Sequence, residues 1–358
     1  MGLRAFLAKR VVYSVFLLLL VIMVDFFLFI LMPGDPTIFL APIDPAGGIL
    51  SPEERKEREE ILKRVWGYGD PYYVQLMKYM RNLLTWTFGK SILYKTDVTK
   101  AMFWRIPYTL LLIGGSTIIS IIIGVILGVM AVQKRGGIFD SGAVVTSLVF
   151  NALPSFWIGM VFLLIFYINL GWFPNAGAFP REWALKGFPT PVTITNSVSL
   201  DGLRLVLTLD SGQFIKLIGG YLRHLFLPMA TLVIVTAGGW LIFTRASMLE
   251  VLGEDYVLTA KAKGLTERGV MFKHVLKNAS LPIVTSIALS FGFVLGGALI
   301  TEAVFTYPGL GQMTFQAIMY RDYSILMAFF YVMSICVIIA NIIADLLYGV
   351  LDPRIRYG

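Results

Sequence analysis

Residues 106–133 read IPYTLLLIGGSTIISIIIGVILGVMAVQ, without one Asp, Glu, Lys or Arg. A helix rises about 1.5 Å per residue, so roughly 20 apolar residues cross a hydrocarbon core of about 30 Å. In hydrocarbon the backbone must satisfy its own N–H and C=O groups, which a helix does. The stretch is read as a membrane-spanning helix. The same freedom from charge returns at 141–180, 224–244, 278–301 and 323–344. Over all 358 residues, 57% are hydrophobic and 15% charged, against about 45–50% and about 25% in soluble domains. This excludes an ordinary soluble enzyme, a disordered chain, a collagen and a disulfide scaffold. The single cysteine, Cys336, lies in an apolar block and has no partner for an intrachain bridge.

The blocks predict an all-α polytopic membrane protein with six transmembrane helices. The spans are Val11–Met32, Tyr108–Val132, Gly142–Ile168, Leu225–Phe243, Leu281–Ile300 and Ser324–Val350. Pro107 suits the first turn of the second. Pro154 and Pro228 are expected to kink the third and fourth. The first span follows Arg4, Lys9 and Arg10 as a signal peptide would, but its apolar run is long and Pro33-Gly34-Asp35-Pro36 is a poor cleavage site. It is read as a retained anchor. The net charge of +8 is interpreted by location. Arg4, Lys9, Arg10, Lys134, Arg135, the basic residues between spans four and five, and Arg354 and Arg356 all fall on one side if the spans alternate. That side is the cytoplasm, so both termini are expected to be cytoplasmic. Residues 1–32 form the N-terminus and first helix, 33–104 a small extracytoplasmic segment, 105–350 the main transmembrane domain with a cytoplasmic loop at 246–280, and 351–358 a tail.

The outer segment carries a capping-box pattern, Ser51-Pro52-Glu53-Glu54, opening a helix of alternating charge through Arg64. Asp70-Pro71 opens a second, with Tyr72, Leu76, Tyr79, Met80 and Leu83 at helical spacing. Between spans three and four, alternation such as Val192-Thr193-Ile194-Thr195 predicts a small hairpin within about 190–209.

No catalytic constellation emerges. Gly89-Lys90-Ser91 resembles the end of a phosphate-binding loop, but Leu84 stands where the loop needs glycine, so a simple turn is expected. His224 and His274 have no companions at metal-ligand spacing. Polar groups in or beside spans are candidates for a pathway or for interhelical bonding. These are Asp25 in span one, Glu302 at the outer end of span five, and Asn341 and Asp345, four residues apart on one face of span six. Matching interrupted half-helices, expected of a secondary transporter with inverted repeats, are not evident.

The stretch from Arg245 to Ser280 is far longer than a minimal hairpin connection. Glu254 and Asp255 open a short helix that Lys261 and Lys263 close, both placements suiting the helix dipole. Gly264 is the terminator, and Thr266 caps a second short helix to about Asn278. Two short helices meeting at a glycine along the membrane surface make a docking element, or alternatively a basic amphipathic segment lying on membrane lipid.

Here a resemblance becomes specific. Asp255-Tyr256-Val257-Leu258-Thr259-Ala260-Lys261-Ala262-Lys263-Gly264-Leu265 resembles the coupling motif of binding-protein-dependent ABC transporter permeases, most closely the dipeptide/oligopeptide family, first-subunit type. Pro33-Gly34-Asp35-Pro36, Leu153-Pro154-Ser155-Phe156-Trp157, Leu170-Gly171-Trp172-Phe173-Pro174, Thr244-Arg245-Ala246-Ser247, Val304 through Gly311 and Leu351-Asp352-Pro353-Arg354 are similar to the same family, in order along nearly the whole chain. The general motif begins Glu-Ala-Ala and ends Leu-Pro. Here those positions hold Leu258-Thr259-Ala260 and Leu276-Lys277, so Ala260 and Gly264 are kept while the acid and the proline are not.

The resemblance implies a type-1 ABC importer permease in the plasma (inner) membrane. It implies a heterodimer with a second related permease, two cytoplasmic ATPase subunits that use ATP and Mg, and an extracytoplasmic solute-binding protein. It implies no nucleic acid, no catalysis by this chain, and no cofactor or metal bound by it. The coupling residues would be Asp255, Tyr256, Ala260, Lys261, Ala262, Lys263, Gly264 and Leu265. Peptide cargo is expected on family grounds. Oligosaccharide cargo, with Trp157, Trp172 and Trp240 lining a sugar path, an ion-coupled transporter and a non-transport scaffold are the competing readings.

Overall fold

The computed structural model describes residues 3–31, 69–91, 93–186, 192–199 and 202–351, with isolated positions between 53 and 67. The capping-box helix expected from Ser51, the Pro33–Pro36 motif and the Asp352-Pro353-Arg354 ending lie outside the described residues. In chain order the helices are α1 (Leu3–Leu31), α2 (Tyr72–Leu84), α3 (Val98–Gln133), α4 (Ile138–Ala152), α5 (Ser155–Asn169) and α6 (Arg181–Lys186). A two-stranded antiparallel sheet follows, β1 (Val192–Ser199) paired with β2 (Gly202–Leu209). Then come α7 (Ser211–Leu252), α8 (Asp255–Ala262), α9 (Glu267–Gly296), α10 (Leu299–Val304), α11 (Leu310–Tyr320) and α12 (Tyr323–Leu351). The hairpin stands where alternation placed it, and its two strands depart from the all-α expectation.

Among the described residues, four helices are long and apolar enough to cross a membrane: α3, α7, α9 and Tyr323–Ala344 of α12. The pair α4–α5 makes a fifth if it is one span, and α1 contributes the shorter apolar stretch Val12–Phe27. Several expected boundaries move. The second span does not open at Tyr108. Asp97 accepts from the Thr99 N–H at 2.9 Å and starts α3 at Val98, which leaves Pro107 inside the helix, just before a wide π turn at Leu110–Gly114. The third span is broken by 94°. Leu153 precedes Pro154 and is extended (φ −80°, ψ 136°), because the proline ring excludes the helical region for the residue before it. Helix α7 opens at Ser211 rather than Leu225. Asp210 caps it through Gly212 and Gln213, and it continues through Pro228. Helix α9 ends at Gly296 rather than Ile300, because Gly297 takes φ +68°.

The helices α3 and α7 share the most extensive helix–helix contact among the described residues. Glycine permits it. A Cβ on Gly124 would stand 2.7 Å from the Ala237 carbonyl oxygen, and one on Gly128 would stand 2.7 Å from Thr244 Cβ. Gly238 of α7 is in the same position against Ser147 of α4, at 2.9 Å from its Cβ. In lipid, where apolar surface gains nothing by leaving solvent tails, such close backbone approach and its dispersion contacts drive association.

Three clusters of buried side chains follow. One joins Ile22 and Phe26 of α1, Tyr79 and Leu83 of α2, Met102 of α3, Met313 of α11 and Ile325 of α12. Tyr72, at helical spacing with Tyr79 and Leu83, is exposed. A second cluster, at the Gly264 end, joins Val129 and Val132 to Met248, Val257 and Val275. A third, at the opposite end, joins Leu112, Leu225, Leu227, Phe305 and Tyr307.

A side chain at Gly124 has no space, whereas one at Gly239 of the same bundle meets nothing within 4 Å. Gly124→Leu is expected to destabilise the purified chain by about 1–3 kcal/mol or more, as overpacking does. Gly239→Ala is expected to leave it unchanged. Unfolding midpoints in detergent check the contrast, and equal midpoints would show that the α3–α7 contact does not depend on close approach.

Candidate functional site

The segment singled out in the sequence folds into an elbow. Helix α8 ends at Gly264, which takes φ +77°. Its N–H donates to the Lys261 carbonyl at 2.9 Å, and the Leu265 N–H donates to the Ala260 carbonyl at 3.4 Å. This is the Schellman pattern, in which the left-handed residue lets two otherwise orphaned carbonyls be satisfied. Thr266 then accepts from the Gly269 N–H at 3.2 Å and caps α9. One expectation is corrected here. The second helix is not short: it continues from Glu267 through Gly292 and closes with a 3-10 turn at Val294–Gly296, carrying the elbow into the apolar span. The basic residues after Thr266 therefore begin a span instead of forming a separate surface helix.

Two side chains anchor α8 on its own bundle, Val257 at 0% exposure and Ala260 at 5%. They pack in the cluster with Met248 of α7 and Val270 and Val275 of α9. The other motif residues, Asp255, Tyr256, Lys261, Ala262, Lys263, Gly264 and Leu265, are all exposed. Tyr256, Leu258, Leu265 and Phe272 leave a good deal of apolar surface uncovered. Burial, followed by the nearby Glu254 carboxylate, pushes the Tyr256 phenol up. A Cβ on Gly264 would meet nothing within 4 Å, so the demand for glycine there is one of backbone conformation alone.

Beside the elbow lies an ion pair the sequence reading did not assign. Arg245 of α7 donates through Nε to Asp140 Oδ1 at 2.6 Å and through Nη2 to Oδ2 at 2.9 Å, and the Gly136 N–H adds a third bond at 3.0 Å. The pair joins α7 to the start of α4 and to the turn after α3. A signal was present: Asp140 is the only acid between Asp97 and Glu182.

The polar candidates do not converge. Asp25 is half-buried in the cluster of Phe26 and Tyr79, with Oδ2 shielded from solvent and without a hydrogen bond among the described residues. Glu302 is fully buried at the opposite end from Gly264 and bonded to Thr109 and to the Gln312 N–H. Asn341 is exposed, and the Asp345 side chain lies outside the described residues. Gly89-Lys90-Ser91 forms a turn, closed by a Lys90–Asp97 bridge. There Ser91 donates to Asp322 Oδ2 at 2.7 Å, and Asp322, missed in the sequence, holds this turn at the start of α12. Trp240 packs against Gly124, whereas Trp157 and Trp172 are exposed. At the Tyr307 end a cavity of about 660 Å³ is lined by residues including Tyr167, Trp183, Lys216, Arg223 and His224.

Residues 120–357 match the family described as binding-protein-dependent transport system inner membrane component. The chain belongs to this family. It is 33% identical to the oligopeptide transport system permease protein AppB of Bacillus subtilis, over 99% of both chains. It is 33% identical to the di/tripeptide transport system permease protein DppB of Pseudomonas aeruginosa, again over 99% of both. It is 34% identical to the dipeptide transport system permease protein DppB of Escherichia coli, over 91% of both. As a family member it is a multi-pass inner-membrane transport component, and the elbow at Gly264 and the Asp140–Arg245 pair both lie within the matched region.

The ion pair predicts non-additive stability. Asp140 is nearly inaccessible, so Arg245→Met leaves a carboxylate without its partner. Arg245→Met and Asp140→Asn should each lower the unfolding midpoint, and the double variant should lose less than the two single losses together. Additive losses would mean that the two groups do not act as one unit.

Proposed function

We propose that this chain is one of two related permease subunits of an ATP-driven importer, and that it carries peptides delivered by an extracytoplasmic solute-binding protein. Each of the three relatives above is named as a dipeptide, di/tripeptide or oligopeptide transport system permease. In this reading six helices span the membrane, α1 is the first and α4–α5 a single broken third. Both termini and the Gly264 elbow face the cytoplasm, and α2 belongs to the extracytoplasmic segment between spans one and two.

The observation that carries the proposal is the elbow itself. Helix α8 is held by only two buried side chains, yet it presents Tyr256, Leu258, Leu265, Lys261 and Lys263 outward at the head of the α9 span. A surface of that kind suits a partner that pushes on α9. The two cytoplasmic ATPase subunits would supply ATP and Mg chemistry, and this chain would convert their closure into tilting of the spans. Such switching requires ATP to favour one state over the other. Asp255 opens α8, Lys261 and Lys263 complement its C-terminal dipole, and Val257 and Ala260 transmit the load into α7 and α9.

Gly264→Val tests the coupling role. A β-branched residue in the left-handed region is strained by about 1–2 kcal/mol, small against a whole membrane fold and large against the few kcal/mol between transport states. Membrane abundance should stay near wild type while ATP-dependent peptide uptake is lost. Wild-type uptake at equal abundance would show that the elbow does not couple.

Orientation is tested with a Cys336→Ala background carrying single cysteines at the exposed positions Thr87 or Thr266. An impermeant thiol reagent on intact cells should label position 87 and spare position 266. The reverse pattern overturns the topology.

A further inference from the structure

The cavity of about 660 Å³ at the Tyr307 end lies between the end of α5, the start of α6 and the first turns of α7. Small-molecule sites measure about 300–1,000 Å³. The sequence sets its depth in the membrane. Residues 141–180 and 224–244 carry no charge. Glu182 comes two positions after the first of these blocks, and Arg223 one position before the second. Both residues line the cavity. Its charged rim therefore stands where the apolar spans meet the headgroup layer.

The inner wall is aromatic. The Trp183 ring lies against α7 because Gly220 has no side chain: a Cβ there would stand 2.6 Å from Trp183 Cζ2. Phe173, also in the wall, stacks face to face on Phe226 with ring centroids 4.6 Å apart. Phe226 is 51% exposed and belongs to the charge-free block of α7. The wall thus continues out of the cavity as apolar surface along the span.

The rim holds two cations, Lys216 and Arg223, against one carboxylate, Glu182. Arg223 donates through Nε and Nη2 to the Trp172 carbonyl at 3.1 and 2.9 Å, and its Nη1 meets no acceptor among the described residues. Lys216 and Glu182 form no ion pair among the described residues. His224 donates through Nδ1 to the Gly220 carbonyl at 2.8 Å, which leaves Nε2 of the neutral ring as an acceptor. Two cations and two acceptors therefore share one cavity above an apolar path.

We propose that this cavity holds the headgroup of an anionic phospholipid with a hydroxylated substituent, of the phosphatidylglycerol type. The phosphate sits against Lys216 and Arg223. The headgroup hydroxyls donate to Glu182 and to His224 Nε2. An acyl chain follows Phe226 along α7. A free phosphate or a peptide carboxylate would meet the same cations but would leave the apolar path unused. The proposal requires a chain in a membrane and neither a particular cargo nor ATP, so its failure would leave the importer reading standing.

Native mass spectrometry of the full chain, titrated with phosphatidylglycerol or phosphatidylcholine, tests this. One phosphatidylglycerol should bind on the order of tenfold more tightly than phosphatidylcholine. Lys216 is exposed, and Lys216→Gln should weaken phosphatidylglycerol about fivefold, the weight of one interfacial cation. Phosphatidylcholine binding should hold. A Cβ on Gly219, in the cavity wall, meets nothing within 4 Å, so Gly219→Phe should fill the cavity and remove the tight site. Lys134→Gln, at the opposite end, should change nothing. Equal affinity for the two lipids, binding unchanged in Lys216→Gln or in Gly219→Phe, or the same loss in Lys134→Gln overturns the proposal. If Gly219→Phe fails to insert, Lys216→Gln decides alone. Inorganic phosphate and a tripeptide with a free C-terminus, each at the lipid's concentration, should not displace the lipid. Displacement by phosphate would mark a free-anion site and displacement by the tripeptide a cargo site, and either overturns the lipid assignment.

Discussion

Helices α3 and α7 approach so closely that Gly124 and Gly128 cannot carry a side chain, and both ends of the molecule are built on that contact. At one end, Val129 and Val132 of α3 and Met248 of α7 form the floor on which α8 rests. At the other, Leu112 of α3 meets Leu225 and Leu227 of α7 beneath Tyr307. In a bilayer the hydrophobic effect does not hold helices together, so a surface that fits at the level of the backbone must do so. Widening this contact would shift the supports of the Gly264 elbow and of the Glu302 turn together.

The two ends differ in how they are held. Helix α8 is attached by two apolar side chains and a closing glycine and leaves most of its surface free. The ion pair between Asp140 and Arg245 lies beside it and braces the turn after α3 against α7. The opposite end is polar and enclosed. Glu302, Thr109, Ser91 and Asp322 are all buried, and each bonds across a long stretch of sequence. A lightly held surface suits a changing partner, whereas the turn around Glu302 is enclosed. Helix α9 leads from Glu267 at the elbow to Gly296, next to the turn.

The amino-acid sequence by itself determined the spans as apolar blocks, the break at Gly264, the cap at Thr266, the hairpin around 192–209 and the family motifs. All of these are local. Apolar length, a residue able to take positive φ, a side-chain oxygen three residues before an orphan N–H, and alternation of period two can each be read within about twenty residues. Helix boundaries were less legible. Asp97 and Asp210 extend α3 and α7 well beyond their apolar cores, and hydropathy does not register a polar helical extension. Leu153-Pro154 showed where the third span bends but not that it turns by 94°.

Only the tertiary structure decided which polar residues meet. Asp140 pairs with Arg245 across 105 positions, Glu302 with Thr109 across 193 and Ser91 with Asp322 across 231. No local pattern encodes such partners, because each depends on which helix faces meet and on the depth at which the chains cross. The same holds for the glycines: Gly124 and Gly239 look alike in sequence, yet one is pressed against Ala237 and the other faces open space. It holds too for Asp25 and Asn341, similar candidates along the chain. One becomes half-buried beside Tyr79 and the other stays exposed, since burial belongs to the packed bundle and not to the residue.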